Sequence, residues 1–380
     1  MSVQLKGAVT LAALAVAGSV ASAAIPSISP LISFGGGDGW RAPLESLVGD
    51  VVAGPYPYLG TGNNERGIAY NPVTGNLILV SRNGGNNIRI LDGLTGVDKG
   101  ALNLGTGIVT GGTLTINMVG VADDGAIYVA NLVTNVGSAP LRVYKWDNET
   151  VAAPSVFFSN TMTGFAGTPR LGDSLDVTGS GANTRVVAGG SGTTGYAVIT
   201  GSGAVVVPSF SPAGPGTGDF RLGVTFAGTE FEVWGKQTGG SASAAPLRRT
   251  TYTDLGTGAS VGSSILTTGG EIGVDYAVIA GVPYLATVDA NSSRVRVYNM
   301  ANPASPALVL DGTTLTATST ANGNATGQVK WGAISGHSAI LYALNTNNGI
   351  QAFSVVVPEP AALGLLAPAA LLLGRRRQTA

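Results

Sequence analysis

Short apolar runs of strand length alternate with polar turns along most of the 380-residue chain. The clearest case is residues 65–80, where Glu-Arg-Gly-Ile-Ala-Tyr and Leu-Ile-Leu-Val flank Asn-Pro-Val-Thr-Gly-Asn. Pro fixes φ, Gly accepts a positive φ and Asn bonds its own backbone, so the middle segment predicts a tight turn between two strands. Long amphipathic helical patterns are missing, which indicates an all-β protein.

The strand–turn–strand unit recurs about every fifty residues and carries a glycine in its first strand. These glycines are Gly67, Gly120, Gly172, Gly223, Gly273 and Gly332, at intervals of 53, 52, 51, 50 and 59 residues. A second apolar strand, a third strand and, in most copies, a weak fourth strand follow each glycine. Four strands in about fifty residues is the period of a propeller blade, so six copies predict a six-bladed β-propeller. The alternatives are an irregular sandwich or barrel and a parallel β-helix, whose rungs should repeat at about half this period.

The predicted ring occupies residues 43–356, and its last copy ends after the third strand. Residues 43–52 precede the first copy and have no blade of their own. We therefore expect residues 43–52 to supply the missing outer strand of the last blade, because such closure removes open sheet edges. Residues 24–42 are rich in Pro, Ser and Gly and are expected to form a poorly ordered lead-in.

Both ends of the chain have the pattern of export signals. Residues 1–23 contain Lys6, an apolar run over 8–16 and a small-residue cleavage site at Ala21-Ser22-Ala23, which predicts a secretory signal peptide. A buried N-terminal helix is the alternative. Residues 357–380 combine three features in order: a Pro-Glu-Pro motif, an apolar run over 361–374 and an arginine cluster. The motif residues are Pro358, Glu359, Pro360, Arg375, Arg376 and Arg377.

This C-terminal tail resembles the bacterial PEP-CTERM sorting signal. The resemblance implies recognition by an exosortase, removal of the tail during export or surface attachment, and a Gram-negative cell that makes extracellular polysaccharide. An apolar helix this short reaches only about 20 Å, against a hydrocarbon core of about 30 Å, which favours a temporary membrane contact. An anchor that is never cut is the alternative. The blade region is also similar, loosely, to secreted bacterial propeller families of unknown function.

Composition excludes several function classes. Charged residues make up only 11% of the chain and the net charge is −1, so nucleic acid would meet no basic field. The chain has no Cys, which excludes disulfides and thiolate sites, and its single His337 excludes His-based metal sites. A Ser-His-acid triad around His337 would need a nucleophile beside this loop residue, and no neighbouring pattern supplies one.

Charge is concentrated two residues before the repeat glycines. The residues there are Glu65, Met118, Arg170, Arg221, Glu271 and Lys330, and Asp173, Asp176 and Asp275 lie in the same strands. Because innermost strands line the channel of a propeller, these side chains predict a mixed-sign ring at one channel mouth. The binding candidates are Glu65, Arg170, Asp173, Arg221, Glu271, Asp275 and Lys330. A ring of mutually neutralising ion pairs that closes the channel is the simpler interpretation.

The sequence thus predicts an exported, surface-sorted, monomeric and non-catalytic propeller. It would be a binding or structural component of the cell surface or the polysaccharide matrix, with no cofactor and no assigned metal. The alternative is a Ca²⁺-dependent hydrolase or lyase with Glu65, Asp173, Glu271 and Asp275 as ligands. That alternative requires three or more carboxylates converging on one point about 2.4 Å from their oxygens, without arginine or lysine between them. Adhesion to polysaccharide is a third possibility.

Overall fold

The computed structural model describes residues 26–52, 54–237, 245–266, 270–316 and 319–357. These residues form six antiparallel sheets with almost no helix; two 3₁₀ turns occur, at Gly35–Gly37 and Gly181–Asn183. The innermost strands of successive sheets contact one another in order, and the sixth contacts the first. The sheets therefore close into a ring. The prediction of a six-bladed β-propeller is confirmed, and the sandwich and β-helix alternatives are wrong.

Blades 1 to 5 each run from an innermost to an outermost strand in chain order, and blade 6 begins in the same way. Before the first blade lie β1 (Ser27–Pro30) and β2 (Trp40–Arg41). Blades 1 to 3 contain β3 (Glu65–Tyr70), β4 (Asn76–Ser81), β5 (Asn87–Asp92), β6 (Asp98–Ala101), β7 (Leu114–Val121), β8 (Ile127–Leu132), β9 (Leu141–Trp146), β10 (Ser155–Asn160), β11 (Ser174–Thr178), β12 (Arg185–Gly189), β13 (Tyr196–Thr200) and β14 (Gly203–Val207). Blades 4 to 6 contain β15 (Gly223–Ala227), β16 (Thr229–Lys236), β17 (Leu247–Tyr252), β18 (Gly258–Ser264), β19 (Glu271–Ile279), β20 (Val282–Asp289), β21 (Val295–Asn299), β22 (Ala307–Asp311), β23 (Gly327–Ser335), β24 (Ser338–Asn345) and β25 (Ile350–Val356).

The core lies between the facing sheets of neighbouring blades. Ile78 and Val80 of β4, for example, belong to one buried cluster with Ile127 and Val129 of β8. Alternate residues of a strand point to opposite faces, and both faces of an inner blade strand are covered, so β4 reads as a continuous apolar run. Burial of these side chains between blades is the main favourable contribution to folding.

The repeat glycines allow innermost strands to approach closely around the axis. A side chain at Gly223 would come within 3.2 Å of the backbone of Gly273 and 3.1 Å of that of Val274. Gly273 lies in the same way against Gln328 of β23. Gly332 does not take this place, because it packs against Tyr342 and Ile340 of its own blade. The alignment on Gly332 is therefore displaced by about four residues from the structural equivalence.

The last blade is closed by an N-terminal strand, but residues 43–52 do not form it. Strand β1 pairs with β25 in an antiparallel register that places Ser27 opposite Val356 and Pro30 opposite Phe353. Strand β2 extends this pairing further along β25. The closing strand therefore comes from the segment expected to be a lead-in. Strand β1 pairs with β25 because the ring brings it beside the free edge of that strand. A Pro is tolerated in β1 because it is an outer strand.

Residues 43–52 instead cover the outer edge of blade 1. The backbone N–H of Val51 donates to the carbonyl of Asp98, and the N–H of Asp98 donates to Asp50 Oδ1 at 2.8 Å. Arg41 forms a bidentate ion pair with Asp50 at 2.9 and 2.7 Å and is fully buried over the ring of Tyr56. This buried pair holds the segment against the neighbouring blade, so the N-terminal region ties blades 6 and 1 together.

The turn at residues 71–76 has the predicted chemistry and is braced by the next blade. Asn71 Oδ1 accepts from the N–H of Val73 at 3.0 Å. Glu149, from blade 2, accepts from Asn71 Nδ2 at 2.8 Å, from Thr74 Oγ1 at 2.5 Å and from Asn76 Nδ2 at 2.6 Å. One carboxylate therefore joins two blades at their rim.

Glu149→Ala is expected to lower the free energy of unfolding by about 1–3 kcal/mol, because it removes hydrogen bonds to a charged acceptor and leaves two amide groups without it. Chemical denaturation monitored by circular dichroism would measure the loss. Glu149→Gln keeps the shape and one acceptor oxygen, so its loss should be smaller. Equal losses in the two variants would show that the carboxylate does not brace the turn.

Candidate binding site at the central channel

Side chains of the innermost strands connect neighbouring blades across the channel wall. Asp176 Oδ2 accepts from the N–H of Phe226 at 2.8 Å, and Asp275 Oδ2 accepts from the N–H of Trp331 at 2.7 Å. Gln328 Oε1 accepts in the same way from the N–H of Ile68 at 3.0 Å. Innermost strands share no backbone ladder, so these side chains satisfy main-chain donors that would otherwise be buried without partners.

Lys330 lies between two of these carboxylates. Its Nζ donates to Asp176 Oδ1 at 2.6 Å and to Asp275 Oδ1 at 2.7 Å, and all three residues are buried. Burial raises the pKa of Asp275 to about 6, although the ammonium group acts in the opposite direction. Burial acts to lower the pKa of Lys330, but the two carboxylates outweigh it and hold this pKa above its usual value. Lys330, Asp176 and Asp275 are called the channel triad below.

The channel triad borders a cavity of about 310 Å³ at the end of the channel where the innermost strands finish. Tyr70, Thr225 and Trp331 also line this cavity. The channel is therefore closed across its width by an ion-paired group with two carboxylates and one ammonium. Such a group fixes the relative positions of blades 3, 5 and 6.

A different set of charges lies at the opposite mouth, where the innermost strands begin. Arg170 donates from Nε and Nη2 to the two oxygens of Asp173 at 2.7 and 2.6 Å. Arg221 Nε lies 3.9 Å from the same carboxylate. Arg66, which the repeat analysis did not single out, lines the same small cavity. Its adjacency to Glu65 in the first repeat was the only sequence signal for it.

The remaining members of the predicted ring turn away from the channel. Glu65 is buried and accepts from the N–H of Gly60 at 2.6 Å. Glu271 is buried in its own blade, where it accepts from Tyr298 Oη at 2.6 Å and pairs with Arg296 at 3.3 Å. Burial raises the pKa of both glutamates. Met118 is buried in an apolar cluster.

The structure therefore distributes the predicted ring over three places. Arg170, Asp173 and Arg221 meet at one mouth, Asp275 and Lys330 meet inside the channel with Asp176, and Glu65 and Glu271 lie in the blades. The separation arises because Lys330 is the structural equivalent of Asp275, as the contact of Gly273 with Gln328 shows. Irregular pairing between Glu65 and Gly67 and between Ile272 and Val274 also interrupts the regular alternation of β3 and β19, so positions aligned on the glycines need not share a face.

The arrangement does not match the donor set that calcium requires. Among the described residues, no three His, Cys, Asp or Glu side chains are grouped so that they could hold a metal ion. Asp173 is paired with Arg170 and Arg221, and Asp275 is paired with Lys330. Cations thus lie between the carboxylates that the calcium alternative would need to converge, and no reaction step is derived through such an ion.

A broad cleft opens on the face where the innermost strands end, and the repeat analysis did not predict it. Its volume is about 1040 Å³, and it lies between blades 3 and 4. The residues that line it include Asp123, Thr178, Ser180, Asn183, Arg185, Ser202, Glu230 and Asp254. These positions come from hairpin turns of separate repeats, so no contiguous motif marks them. Burial raises the pKa of Asp123, with Asp124 and Asp176 adding to the effect.

These features define a six-bladed β-propeller with a closed channel and polar sites at both of its faces. The family model described as "Domain of unknown function (DUF4623)" matches residues 52–196, so the chain is similar to that family over less than half its length. No curated protein matches the sequence.

Three solved structures are similar to this chain to different degrees. A DUF4623 family protein from Bacteroides eggerthii is 18% identical with a TM-score of 0.59, covering 79% of this chain and 72% of that one. A gluconolactonase from Xanthomonas campestris is 12% identical with a TM-score of 0.44, covering 79% and 88%. A luciferin-regenerating enzyme is 10% identical with a TM-score of 0.45, covering 87% and 95%. The likeness to the Bacteroides protein supports the propeller fold and no more.

The predicted signal peptide and sorting tail lie outside the described residues, except for Val357. The family model covers neither end of the chain. Within the described part, no helix is both long and apolar enough to traverse a bilayer. Export, exosortase sorting and membrane contact therefore remain predictions from the sequence.

Proposed function

We propose that this chain is an exported, surface-sorted, non-catalytic β-propeller that binds a glycan of the cell surface or extracellular polysaccharide matrix. The cleft of about 1040 Å³ between blades 3 and 4 is the observation that carries the proposal. Its volume is at the upper end of the range of about 300–1,000 Å³ for ligand sites. Its lining consists mainly of hydroxyl, amide and charged groups, which suits sugar hydroxyls better than an apolar ligand.

The side chain of Arg185, which lines the cleft, is fixed in position by its neighbours. Arg185 donates from Nη1 and Nη2 to the two oxygens of Asp254 at 2.7 and 3.3 Å. Its guanidinium also lies 4.5 Å from the ring centre of Phe231. A donor group fixed in this way loses little conformational entropy when a ligand binds, which favours affinity.

The positions of the predicted processing sites support export and sorting. The closing strand β1 begins at Ser27, which follows the predicted cleavage site at Ala23. At the other end β25 finishes at Val356, just before Pro358. Removal of the signal peptide and of the tail would therefore leave every strand of the ring in the mature protein.

The non-catalytic role is supported by the state of the channel carboxylates. Asp176 and Asp275 are both engaged by Lys330 and by backbone donors. A general base needs a free lone pair within reach of its substrate. The lone pairs of these two carboxylates instead accept hydrogen bonds from groups within the protein. The hydrolase or lyase alternative thus has no specific contact in its favour.

Binding of neutral oligosaccharides to the secreted protein, measured on a glycan array, tests the proposal. Asn183→Trp fills the cleft from an exposed turn, so it should weaken binding about tenfold or more. Asn160→Trp, an exposed position on the outer strand of blade 2, is the matched control and should bind like the natural protein. The proposal fails if no glycan is retained, or if both tryptophan variants bind equally well.

A further inference from the structure

A small cavity with a surplus of positive charge lies at the channel mouth opposite the cleft. Its volume is about 30 Å³, and Arg66, Arg170, Arg221, Asn117, Asp173 and Thr326 are among its lining residues. Glu65 acts on Arg66 from nearby, but the lining itself holds three guanidinium groups and a single carboxylate, Asp173. This set is called the arginine mouth below.

Arg66 lies in the arginine mouth without a carboxylate partner. It is buried to 6% exposure, and in the described part of the chain its side chain donates only to neutral acceptors, Asn117 Oδ1 and Thr326 Oγ1, each at 3.1 Å. Its pKa is lowered, first of all by burial; the carboxylates of Asp173 and Glu65 oppose this effect, and the charges of Arg170 and Arg221 add to it. Burying a charge without an opposite partner is costly.

One donor of the arginine mouth and one donor of the nearby Arg82 have no hydrogen-bond acceptor in the part of the chain that the structure describes. Arg221 Nε and Arg82 Nη1 are buried and have no hydrogen-bond partner among the described residues. Burial lowers the pKa of Arg82 to about 10, and the charge of Arg66 contributes to the same effect. Buried donors are normally satisfied, and Arg221 Nε is 3.9 Å from Asp173, so this donor is free to bind a further acceptor in the cavity that it lines.

Several arginines elsewhere in the ring have a carboxylate of their own. Arg41 pairs with Asp50, Arg89 with Asp98, Arg185 with Asp254, Arg248 with Asp219 and Arg294 with Asp311. Arg142 instead donates to Thr110. In the arginine mouth, Arg170 and Arg221 share Asp173, and Arg66 donates to neutral groups.

We propose that the arginine mouth binds a small oxoanion group, such as a carboxylate or sulfate. Planar guanidinium groups match such anions bidentately. The volume of about 30 Å³ is close to that of one water molecule in the liquid, so the cavity takes an oxygen atom of the anion, whose remainder lies outside the cavity, rather than a sugar ring. The group is either a free anion or the carboxylate of an acidic polymer that reaches in from solvent. This inference does not depend on the glycan cleft.

Calorimetric titration of the full chain at constant ionic strength tests whether the arginine mouth binds oxoanions. The probes are sulfate, glucuronate, a uronic acid polymer and uncharged methyl glucoside. Sulfate and glucuronate should bind and compete, and methyl glucoside should not displace them. Arg221→Gln, at a partly exposed position, should weaken both at least about tenfold. Arg66→Lys keeps the charge but loses the planar fork, and should weaken them as well.

Arg294→Gln is the matched control, since it removes the same charge from an exposed pair on blade 5 and should leave binding unchanged. A polymer that binds at least about tenfold more tightly than glucuronate, and competes with sulfate, identifies an acidic polymer as the source of the group. Equal affinities identify a free ion. The proposal is overturned if no oxoanion binds, or if Arg221→Gln and Arg294→Gln bind alike.

Discussion

Lys330→Met is expected to lower the free energy of unfolding by about 3–5 kcal/mol, because it leaves two buried carboxylates facing each other without their shared cation. Asp176 and Asp275 lie 2.6 and 2.7 Å from Lys330 Nζ, so both lose an ion pair in one substitution. Their remaining hydrogen bonds to the backbone N–H groups of Phe226 and Trp331 would hold them in place.

The loss should depend on pH. The folded-state pKa of Asp275 is raised to about 6, above its ordinary value of 3.8, so its protonated form favours the folded state. This contribution is fully present below the ordinary value and is lost as the pH rises through about 6. Without Lys330 the pKa should rise further, because the ammonium group acts to lower it. The penalty of Lys330→Met should therefore shrink between about pH 7.5 and pH 5.

Urea denaturation of both proteins at the two pH values measures this difference. Lys99→Met is a control, since Lys99 is a half-exposed residue 3.7 Å from Asp92 and should lose less than about 1 kcal/mol. A penalty for Lys330→Met that is as small as the control, or that grows on acidification, would contradict the role given to the channel triad.

Removal of strand β1 is expected to open the ring at blade 6. A chain that begins at Leu31 lacks the pairing of residues 27–30 with β25 and the packing of Ile28 against the neighbouring core. The lost apolar contact and backbone hydrogen bonds should lower the free energy of unfolding by about 2–4 kcal/mol. The part of β25 that loses its partner, Phe-Ser-Val-Val at residues 353–356, contains no charge and should associate with other copies.

Size-exclusion chromatography over a range of concentrations, combined with thermal unfolding, measures both effects. A chain that begins at Pro26 retains β1 and is expected to stay monomeric and fully stable. Both chains retain residues 43–52, so the comparison separates the two candidates for the closing strand. If the chain that begins at Leu31 were as stable and as monomeric as the longer one, β1 would not be the closure.

Local chemistry predicted the blade architecture well. The turn at residues 71–76 could be derived because Pro, Gly and Asn each act on their own backbone, and Asn71 makes the expected bond to Val73. The six copies of a unit of about fifty residues predicted the number of blades, since each blade is a local unit whose strands follow one another in sequence. Long-range pairing was not needed for either result.

Closure of the ring by an N-terminal strand was predicted correctly, but the prediction assigned the strand to the wrong residues. Ser27–Pro30 contains one large apolar residue and a proline, so its own pattern gives little strand signal. It becomes a strand because β25 presents an unpaired edge that only the ring geometry brings near the N-terminus. Residues 43–52 are held elsewhere by the buried pair of Arg41 and Asp50.

The candidate sites depended still more on tertiary structure. Alignment on glycines placed Lys330 beside Glu271, whereas the structure makes Lys330 equivalent to Asp275. The arginine mouth joins Arg66, Arg170 and Arg221 from blades 1, 3 and 4, and the cleft joins turns at the other end of blades 3 and 4. Such groupings arise from the angular position of each blade and from a shift of a few residues along its first strand.

Periodicity, turn chemistry and composition alone determined that this protein is an all-β ring of six blades without cysteine chemistry. Those signals act over a few residues or repeat at a constant spacing, so a single chain displays them. The tertiary structure decided which strand closes the ring, which charges meet and where the open surfaces lie. Most of these depend on contacts between different blades, and the relative positions of the blades are set only when the ring closes.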